Sequence, residues 1–294
     1  MSVFQLPAPL RSFFVHFPLH TYDPILPKNK KQTTAPTLWI APPRTGLDPD
    51  NTDLLSSDVK CLKWQAYLAL RGVTGVQVRY DVAPDGGIDG RLPNLQVSLE
   101  GRVASPEDGE LLAAHLIPTW VDGWLERHGK KGADPLEGHL DQAAKDESTA
   151  WVALLEGQIH AALVLAQPTS SYISSLLNLS AGNSRPFNSL LNPPPAPFTG
   201  LTSLVPPSGT RIAPSLVYAQ YSDAIGALSE RLGTDKWFLG SESPTALDAL
   251  VFAYLHIILH SKEDVRIEVT RRVNLVAWEW RVRGLVRSAF TKIA

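Results

Sequence analysis

Few residues of this 294-residue chain combine the types and spacings that nucleophilic catalysis requires. Cys61 is the only cysteine, and a thiol at the start of a helix could act as a nucleophile because the helix dipole lowers its pKa. Cys61 also shares one helix face with Trp64 and Leu68. A lone cysteine on such a face packs mostly as a small apolar side chain. We therefore expect Cys61 to be inert.

His256 and His260 have the i, i+4 spacing of two metal ligands. The glutamate of an HExxH motif is missing and no third ligand stands nearby. Histidines near the end of a helix are stabilised by the helix dipole, which is the interpretation that we prefer. Gly86, Gly87 and Gly90 form neither GxGxxG nor a phosphate-binding loop. The sequence therefore predicts no cofactor and no metal.

The composition excludes several classes of protein. Lys and Arg number 27 against 29 Asp and Glu, which argues against a nucleic-acid-binding surface. One cysteine cannot form an internal disulfide, which favours a reducing compartment. We expect no membrane span, because Ala246–Leu259 is too short and Trp151–Ala166 is interrupted by polar residues. The N-terminal residues resemble neither a signal peptide nor a presequence.

The positioning elements follow from hydrophobic periodicity. The first half predicts, in order, a strand at 37–41, a helix at about 58–71, a strand at 76–80, a proline-containing strand at 91–97, a hairpin turn to 102–103 and a helix starting at Ser105. The second half predicts helices at 147–167, 215–232, 245–260 and 265–290. Residues 183–214 hold eight prolines, which predicts an extended insertion.

Pro93 stands at the start of a predicted strand, with the apolar Leu92 before it and Leu95 two residues after it, in Gly90-Arg-Leu-Pro-Asn-Leu95. Proline has no N–H for a sheet ladder, so it belongs on an edge strand or at a strand's first residue. A trans proline on an edge strand is the commoner case. The strand-helix-strand unit before it is the order of the thioredoxin fold, which favours a cis Leu92–Pro93 bond.

Thr245 and Asp248 have the spacing of a capping box, with Asp in place of the usual Glu or Gln. Apolar residues follow on every side of the predicted helix, so its first turn must be capped within the protein. This pair is structural and not catalytic.

Together these features resemble the glutathione transferases, in which such a box opens a buried helix after a thioredoxin-like half. Residues 90–95, 147–156 and 243–255 resemble the metaxin branch, and residues 17–22 and 61–68 resemble the smaller metaxin-like subunit of the fungal mitochondrial sorting and assembly machinery. The resemblance implies an α/β plus all-α fold. We assign residues 1–36 to an aromatic, proline-rich leader, 37–117 to a thioredoxin-like domain and 118–294 to a helical domain with the insertion at 183–214.

The metaxin resemblance implies a non-enzymatic accessory subunit at the cytosolic face of the mitochondrial outer membrane. Its implied partners are the membrane-embedded barrel insertase, a second metaxin-like subunit and β-barrel precursors, whose β-signal it helps to recognise. The chain would be peripheral to the membrane through these partners, with no nucleic acid involved. The rival interpretations are a glutathione transferase enzyme and a purely structural clamp of the complex.

Three departures from the transferase pattern argue against an enzyme. The first strand ends in Ala41-Pro42-Pro43 without a hydroxyl, and we expect the nearest hydroxyls to be poorly positioned in a long loop, namely those of Thr45, Ser56 and Ser57. The eleven residues 81–91 are too few for the second helix that flanks glutathione. Ala104-Ser105-Pro106 replaces the acid-Ser pair. We therefore predict no catalytic residue.

Two segments carry candidate partner contacts. The leader contributes Phe13, Phe14 and Phe17, and the C-terminal region contributes Trp278, Arg281 and Arg283. The C-terminal stretch is locally basic, which is usual for a solvated helix face. The interleaved tryptophans also fit a patch for anionic lipid headgroups or for an acidic loop of a partner.

Overall fold

The computed structural model describes residues 35–44, 54–98, 109–129, 134–166 and 213–292. In these ranges the α/β region contains β1 (Thr37–Trp39), α1 (Val59–Leu70), β2 (Val76–Arg79), β3 (Asn94–Ser98), β4 (Gly109–Ala113) and α2 (Ile117–Arg127). The helical region contains α3 (Gln142–Leu154), α4 (His160–Ala166), α5 (Pro214–Leu232), α6 (Ala246–Leu259), α7 (Glu263–Thr270) and α8 (Val273–Ser288), and β5 (Phe290–Lys292) follows it. The predicted fold class is confirmed.

The strands form one sheet in the order β4-β3-β1-β2-β5. β1 and β2 run parallel because α1 connects them, whereas β3 is antiparallel to β1 and to β4. Leu38 of β1 pairs with Leu95 of β3, and both are fully buried. The Leu92–Pro93 bond is cis, as predicted, and the buried Pro93 directly precedes β3.

The connection between β2 and β3 holds no second helix, as predicted. Two 3₁₀ turns, Pro84–Gly86 and Ile88–Gly90, take its place. The Asn94 side-chain oxygen accepts a hydrogen bond from the Ile88 N–H at 3.1 Å. A Cβ atom at Gly87 would lie 2.3 Å from the Arg91 carbonyl oxygen, so only glycine fits there. These contacts hold the connection close to the start of β3.

The predicted helix start at Ser105 and the preceding hairpin turn lie outside the described residues. The segment that follows is not helical, because Gly109–Ala113 forms β4 and pairs with β3 over five residues. The next α-helix begins only at Ile117. The backbone pairing with β3 therefore outweighs the local signal for a helix start.

α6 is buried all round, as predicted, since every residue from Leu247 to Ile258 is buried. The capping box is present: the Asp248 N–H donates to the Thr245 hydroxyl oxygen at 3.4 Å, and the Thr245 N–H donates to the Asp248 carboxylate at 2.8 Å. The Phe238 N–H donates to the same carboxylate at 2.9 Å. Burial raises the pKa of Asp248.

The single helix predicted over 265–290 is two helices followed by a strand. The break falls at Arg272, whose extended backbone caps α8 and whose guanidinium turns back to the Glu268 carbonyl oxygen at 2.5 Å. The last residues then pair in parallel with β2, with Phe290 opposite Val76. β5 thereby covers the sheet edge that β2 would otherwise expose.

α3, a π-helical turn (Leu155–Ile159) and α4 form one continuous helix from Gln142 to Ala166. It begins five residues before the predicted start at Glu147. Its 25 residues are long and apolar enough to cross a membrane by length and composition alone, which corrects the prediction that no segment qualifies. Core helices, which are mostly buried, pass the same test, whereas 28% of the apolar 18-residue window of this helix is buried.

Candidate functional site

A cleft of about 1010 Å³ opens beside Pro93, where the transferase resemblance places a glutathione site. The α/β region contributes the start of α1 and the β2–β3 connection. The helical region contributes α4, α6 and the residues that follow α6. The capping-box residues Thr245 and Asp248 do not line the cleft. They fix the start of α6, whose Leu250, Tyr254 and Ile257 do line it.

Contacts between its two ends close the long loop that joins β1 to α1. Two hydroxyls of this loop are therefore held in fixed positions, whereas we expected them to be poorly positioned. Pro43 and Ser56 form an isolated antiparallel bridge. The Ser57 hydroxyl donates to the Pro42 carbonyl oxygen at 2.7 Å, and the Ser56 hydroxyl donates to the Ala41 carbonyl oxygen at 3.0 Å. Both serines therefore lie beside the end of β1, and Ser57 lines the cleft. Thr45 lies outside the described residues.

The fully buried Gln65 holds this closed loop from α1. Its side-chain oxygen accepts from the Ser56 N–H at 2.8 Å, and its side-chain nitrogen donates to the Leu54 carbonyl oxygen at 2.8 Å. This role of Gln65 was not predicted from the sequence. A buried glutamine must satisfy both ends of its amide, so a polar residue on the apolar face of α1 was the available signal.

The amino-terminal end of α1 is already capped within the chain. The Asp58 carboxylate accepts from the Cys61 N–H at 2.9 Å, so a negative charge occupies the positive end of the helix dipole. The Cys61 sulfur accepts a hydrogen bond from the Ala41 N–H at 3.4 Å. Burial, followed by the Asp58 charge, raises the pKa of the Cys61 thiol to about 12. Cys61 is 1% exposed, which agrees with the inert interpretation.

The lining of the cleft carries more positive than negative side chains. The cations are Arg44, Lys60, Lys63, Arg91 and Lys262, and the acids are Asp58, Asp89 and Glu156. Lys63 pairs with Glu156 at 3.7 Å, which joins α1 to the π-helical turn. The Arg44 guanidinium donates to the Ile257 carbonyl oxygen at 3.4 Å, and burial lowers its pKa. The cleft can therefore attract an acidic or carboxylate-bearing ligand by charge alone.

The buried His256 of α6 packs against α8, whereas His260 caps the end of α6 and is exposed. The His256 Nδ1 atom lies 2.7 Å from the Glu279 carboxylate, and both side chains are buried. The His260 Nδ1 atom lies 2.7 Å from the His256 carbonyl oxygen. Within the described residues no cluster of His, Cys, Asp and Glu could hold a metal ion.

The predicted C-terminal contact residues differ in their accessibility. Trp278 is 4% exposed, and its indole N–H donates to the Lys236 carbonyl oxygen at 3.0 Å, so its assignment to a partner surface is wrong. Arg281 is exposed, lies over the Trp237 ring and also bonds to the Lys236 carbonyl oxygen. Arg283 is partly buried and pairs with Glu279 at 3.3 Å. The outward tryptophan is Trp280, which is 71% exposed.

Other predicted site residues lie outside the described residues. They are Phe13, Phe14 and Phe17 of the leader and the Ala104-Ser105-Pro106 segment. Their predicted roles therefore stay predictions.

Residues 221–282 match the family of the glutathione S-transferase C-terminal domain. With the strand order, the cis proline before β3 and the capping box of α6, this match gives the chain a glutathione-transferase-like fold. Its amino-terminal domain is thioredoxin-like and its carboxy-terminal domain is helical. No curated protein sequence matches the chain.

Several solved structures have a similar arrangement. Glutathione S-transferase III in its apo form is 14% identical, covers 87% of this chain and 97% of its own, and has a TM-score of 0.46. Glutathione transferase YghU from Streptococcus pneumoniae, solved with glutathione, is 13% identical over 99% and 100% of the two chains, with a TM-score of 0.45. FzlA from C. crescentus is 12% identical over 84% and 87%, with a TM-score of 0.47. Likenesses at this level carry no argument about activity.

Proposed function

We propose that this glutathione-transferase-like chain is a non-enzymatic accessory subunit of the mitochondrial sorting and assembly machinery. It lies at the cytosolic face of the outer membrane and binds the membrane-embedded barrel insertase together with a second metaxin-like subunit. There it helps to receive β-barrel precursors and to recognise their β-signal. It needs no cofactor for this role.

The proposal that the chain is not an enzyme rests on the hydrogen bonds that the Ser56 and Ser57 hydroxyls make. A transferase must donate a hydrogen bond to the glutathione sulfur in order to stabilise the thiolate. A serine hydroxyl has one hydrogen to donate, and Ser56 and Ser57 each give theirs to a carbonyl oxygen of the β1–α1 loop. Cys61 is buried with a raised pKa and does not line the cleft. Within the described residues, neither of the two serine hydroxyls beside the end of β1 therefore has a hydrogen left to donate to a thiolate.

The assignment to this machinery is supported by the sequence segments that resemble the metaxins. Two of the segments that carry the resemblance fall on elements that shape the cleft. Gly90-x-Leu-Pro-x-Leu95 leads into β3 through Pro93, and residues 243–255 form the capping box and most of α6. A third segment, residues 147–156, lies in α3 and the adjoining π-helical turn.

The cleft supports a binding role on physical grounds. An extended β-signal exposes unpaired N–H and C=O groups, which need a partner strand or a lined groove before insertion. The cleft is large, and its lining includes the apolar side chains of Trp64 and Leu163, the Tyr254 ring and more cations than acids. Such a lining suits a segment with alternating apolar side chains and a carboxylate.

A glutathione transferase enzyme is the second candidate function, and one observation favours it. Ser57 stands at the amino-terminal end of α1, beside the end of β1, and faces an open cleft next to Pro93. If the Ser57 hydroxyl turned away from Pro42, its hydrogen could reach a ligand in the cleft. A purely structural clamp is the third candidate, and it predicts that the precursor never touches this chain.

The test is affinity purification of the tagged full chain from intact mitochondria, followed by identification of its partners. The proposal predicts that the barrel insertase and a second metaxin-like subunit are recovered. Recovery of no outer-membrane component would refute it. Site-specific crosslinking of a stalled β-barrel precursor separates receptor from clamp, because a clamp gives adducts only to the insertase.

A further inference from the structure

One face of the sheet is lined by polar side chains and is separate from the hydrophobic core. Leu38, Val76, Val78 and Leu95 project from the other face and belong to the core. The alternate residues of the same strands share the opposite face, because residues that pair in register project to the same side of a sheet. These residues form the polar sheet face: Thr37, Trp39, Gln77, Arg79, Asn94 and Gln96.

Trp39 lies on the central strand of this face and is buried outside the core. It is 2% exposed, yet it does not belong to the core cluster of the described residues. The Arg79 guanidinium lies 4.3 Å from the centre of its ring. Its buried indole N–H has no hydrogen-bond partner among the described residues. Because a buried indole N–H usually finds an acceptor, we expect another segment to supply one.

Gln77 adds an unpaired acceptor on the neighbouring strand β2. Its buried side-chain oxygen has no hydrogen-bond partner among the described residues. Gln77 pairs in register with Thr37, two residues before Trp39 on the same face. An unpaired donor beside an unpaired acceptor matches the C=O and N–H of one residue in an extended chain, which point to the same side. A helix does not fit, because its backbone groups bond to each other.

The connection between β2 and β3 covers only one end of the polar sheet face. β2 ends and β3 begins at the same edge of the sheet, since β2 is parallel and β3 antiparallel to β1. The connection stays at that edge, where the Ile88 N–H bonds to the Asn94 side chain. Thr37 lies at the other end of β1 and is nevertheless 2% exposed. Thr37 and Trp39 are thus buried within the single chain, which favours a cover from this chain over a partner.

The N-terminal leader joins the sheet at this uncovered end. The described residues begin at Ala35, and the Pro36 carbonyl oxygen accepts a hydrogen bond from the Gln77 N–H at 2.9 Å. Residues 1–34 therefore connect to the chain directly beside Gln77. Five strands span about 19 Å, and six extended residues cover about 20 Å. The leader is thus long enough to cross the whole face.

The composition of the leader fits an extended segment that needs cover. Among residues 1–27 the only Asp, Glu, Lys or Arg side chains are Arg11 and Asp23, and five residues are prolines. Prolines favour an extended backbone without internal hydrogen bonds, so the remaining N–H and C=O groups stay available. Proline-rich segments also dock on surfaces that carry aromatic side chains.

We propose that the leader, residues 1–34, docks as an extended segment on the polar sheet face. One of its non-proline residues accepts a hydrogen bond from the Trp39 indole N–H and donates one to the Gln77 side-chain oxygen. The leader then takes the place of the helix that the β2–β3 connection lacks. This inference goes beyond the proposed function and does not depend on it.

The experiment places photoreactive benzoylphenylalanine at position 96 or 110 of the purified full chain. Gln96 lies on the polar sheet face opposite Thr37. Glu110 is the matched control, because it is exposed on the neighbouring strand β4, pairs with Val97 and projects from the other face. After irradiation, trypsin and mass spectrometry identify the linked peptides. We expect Gln96→benzoylphenylalanine to link to residues 1–11 or 12–28 of the same chain, and Glu110→benzoylphenylalanine to give no such link.

Gln77→Leu provides a second measurement in the full chain. Replacing an oxygen that has no partner would leave the leader unaffected, whereas loss of a hydrogen bond should speed native-state trypsin cleavage after Arg11 by about 5-fold. Cleavage after Arg71, at the end of α1, should keep its wild-type rate and so show that the fold is intact. Gln158→Leu, at an exposed glutamine, should leave both rates unchanged.

Several results would overturn the inference. Links from position 96 only to other segments or to a second copy would do so, as would the absence of any link to the leader. Cleavage after Arg11 at equal rates in the wild type and in Gln77→Leu would also contradict it. None of these results bears on the recovery of partners from mitochondria, so the proposed function is tested separately.

Discussion

The Ser57 hydroxyl lies 2.7 Å from the Pro42 carbonyl oxygen and donates its hydrogen to it. This contact, with the Pro43–Ser56 bridge, draws the start of α1 back to the end of β1. Ser57 consequently lines the cleft, while the hydrogen of its hydroxyl bonds within the β1–α1 loop.

Cys61 gives a clean test of the packing around α1, because it is the only thiol in the chain. With a pKa of about 12, less than about one thiol in a thousand is ionised near pH 8. We expect the native chain to react with a disulfide reagent such as DTNB far more slowly than the urea-unfolded chain does. The measurement is the absorbance of the released thiolate over time. Equal rates in the two states would show that the Cys61 thiol is accessible in the native chain and would contradict its buried position.

The Asp248 carboxylate anchors the start of α6 by accepting hydrogen bonds from Thr245 and Phe238 in a fully buried place. Asp248→Ala leaves these donors without partners, and we expect a loss of about 2–4 kcal/mol in the free energy of unfolding. Asp141→Ala is the control, since Asp141 caps the exposed start of α3 by accepting from the Ala144 N–H. That change should cost about 1 kcal/mol. Urea unfolding measures both, and equal losses would contradict the anchoring role.

We expect the buried His139 to account for part of the pH dependence of the free energy of unfolding. It is 7% exposed, its Nδ1 atom has no hydrogen-bond partner among the described residues, and burial lowers its pKa below 6.5. Below about pH 6.5 the unfolded chain binds a proton that the folded chain does not bind. This contribution to stability is therefore present above that pH and is lost as the pH falls toward the folded-state pKa.

The measurement is the melting temperature between about pH 8 and pH 5.5. His139→Leu should lose less stability on acidification than the wild-type chain, and the exposed control His115→Gln should follow the wild type. A His139→Leu profile parallel to that of the wild type would show that this histidine titrates normally.

Because β5 (Phe290–Lys292) pairs with β2, we expect it to stabilise the amino-terminal sheet. Phe290 is 5% exposed where β5 pairs with β2, so Phe290→Ala should lower the free energy of unfolding by about 3 kcal/mol. Thr291→Ala, on the exposed neighbour, should cost about 0.5 kcal/mol or less. Urea denaturation compares the two. A near-neutral Phe290→Ala would mean that β5 is not docked on the sheet in solution.

Features set by neighbouring residues could be predicted from the sequence. The Thr245–Asp248 box joins residues three apart in the sequence, and the cis Leu92–Pro93 bond is favoured by a strand-helix-strand unit followed by a proline at the start of a strand. The assignment of Trp278 to the surface was avoidable, because Leu275, Trp278, Val282 and Val286 repeat at steps of three and four and form the buried face of α8.

Features set by contacts between distant segments could not be predicted. The Pro43–Ser56 bridge depends on loop closure and on Gln65 in α1, and a three-residue strand such as β5 has too little periodicity to show its pairing with β2. β4 was missed for the same reason, since its pairing with β3 decides its structure. The candidate cleft exists only once α6 packs against α1, which brings the helical region beside the β2–β3 connection.

We propose that the cleft beside Pro93 does not carry out transferase chemistry. The most direct measurement is a thermal-shift titration of the full chain with glutathione up to about 10 mM, since a ligand that binds only the folded state raises its melting temperature. We expect no saturable rise in the melting temperature. A rise that saturates in the wild-type chain and disappears in Ser57→Ala would contradict it, because the Ser57 hydroxyl would then hold the ligand and not the loop.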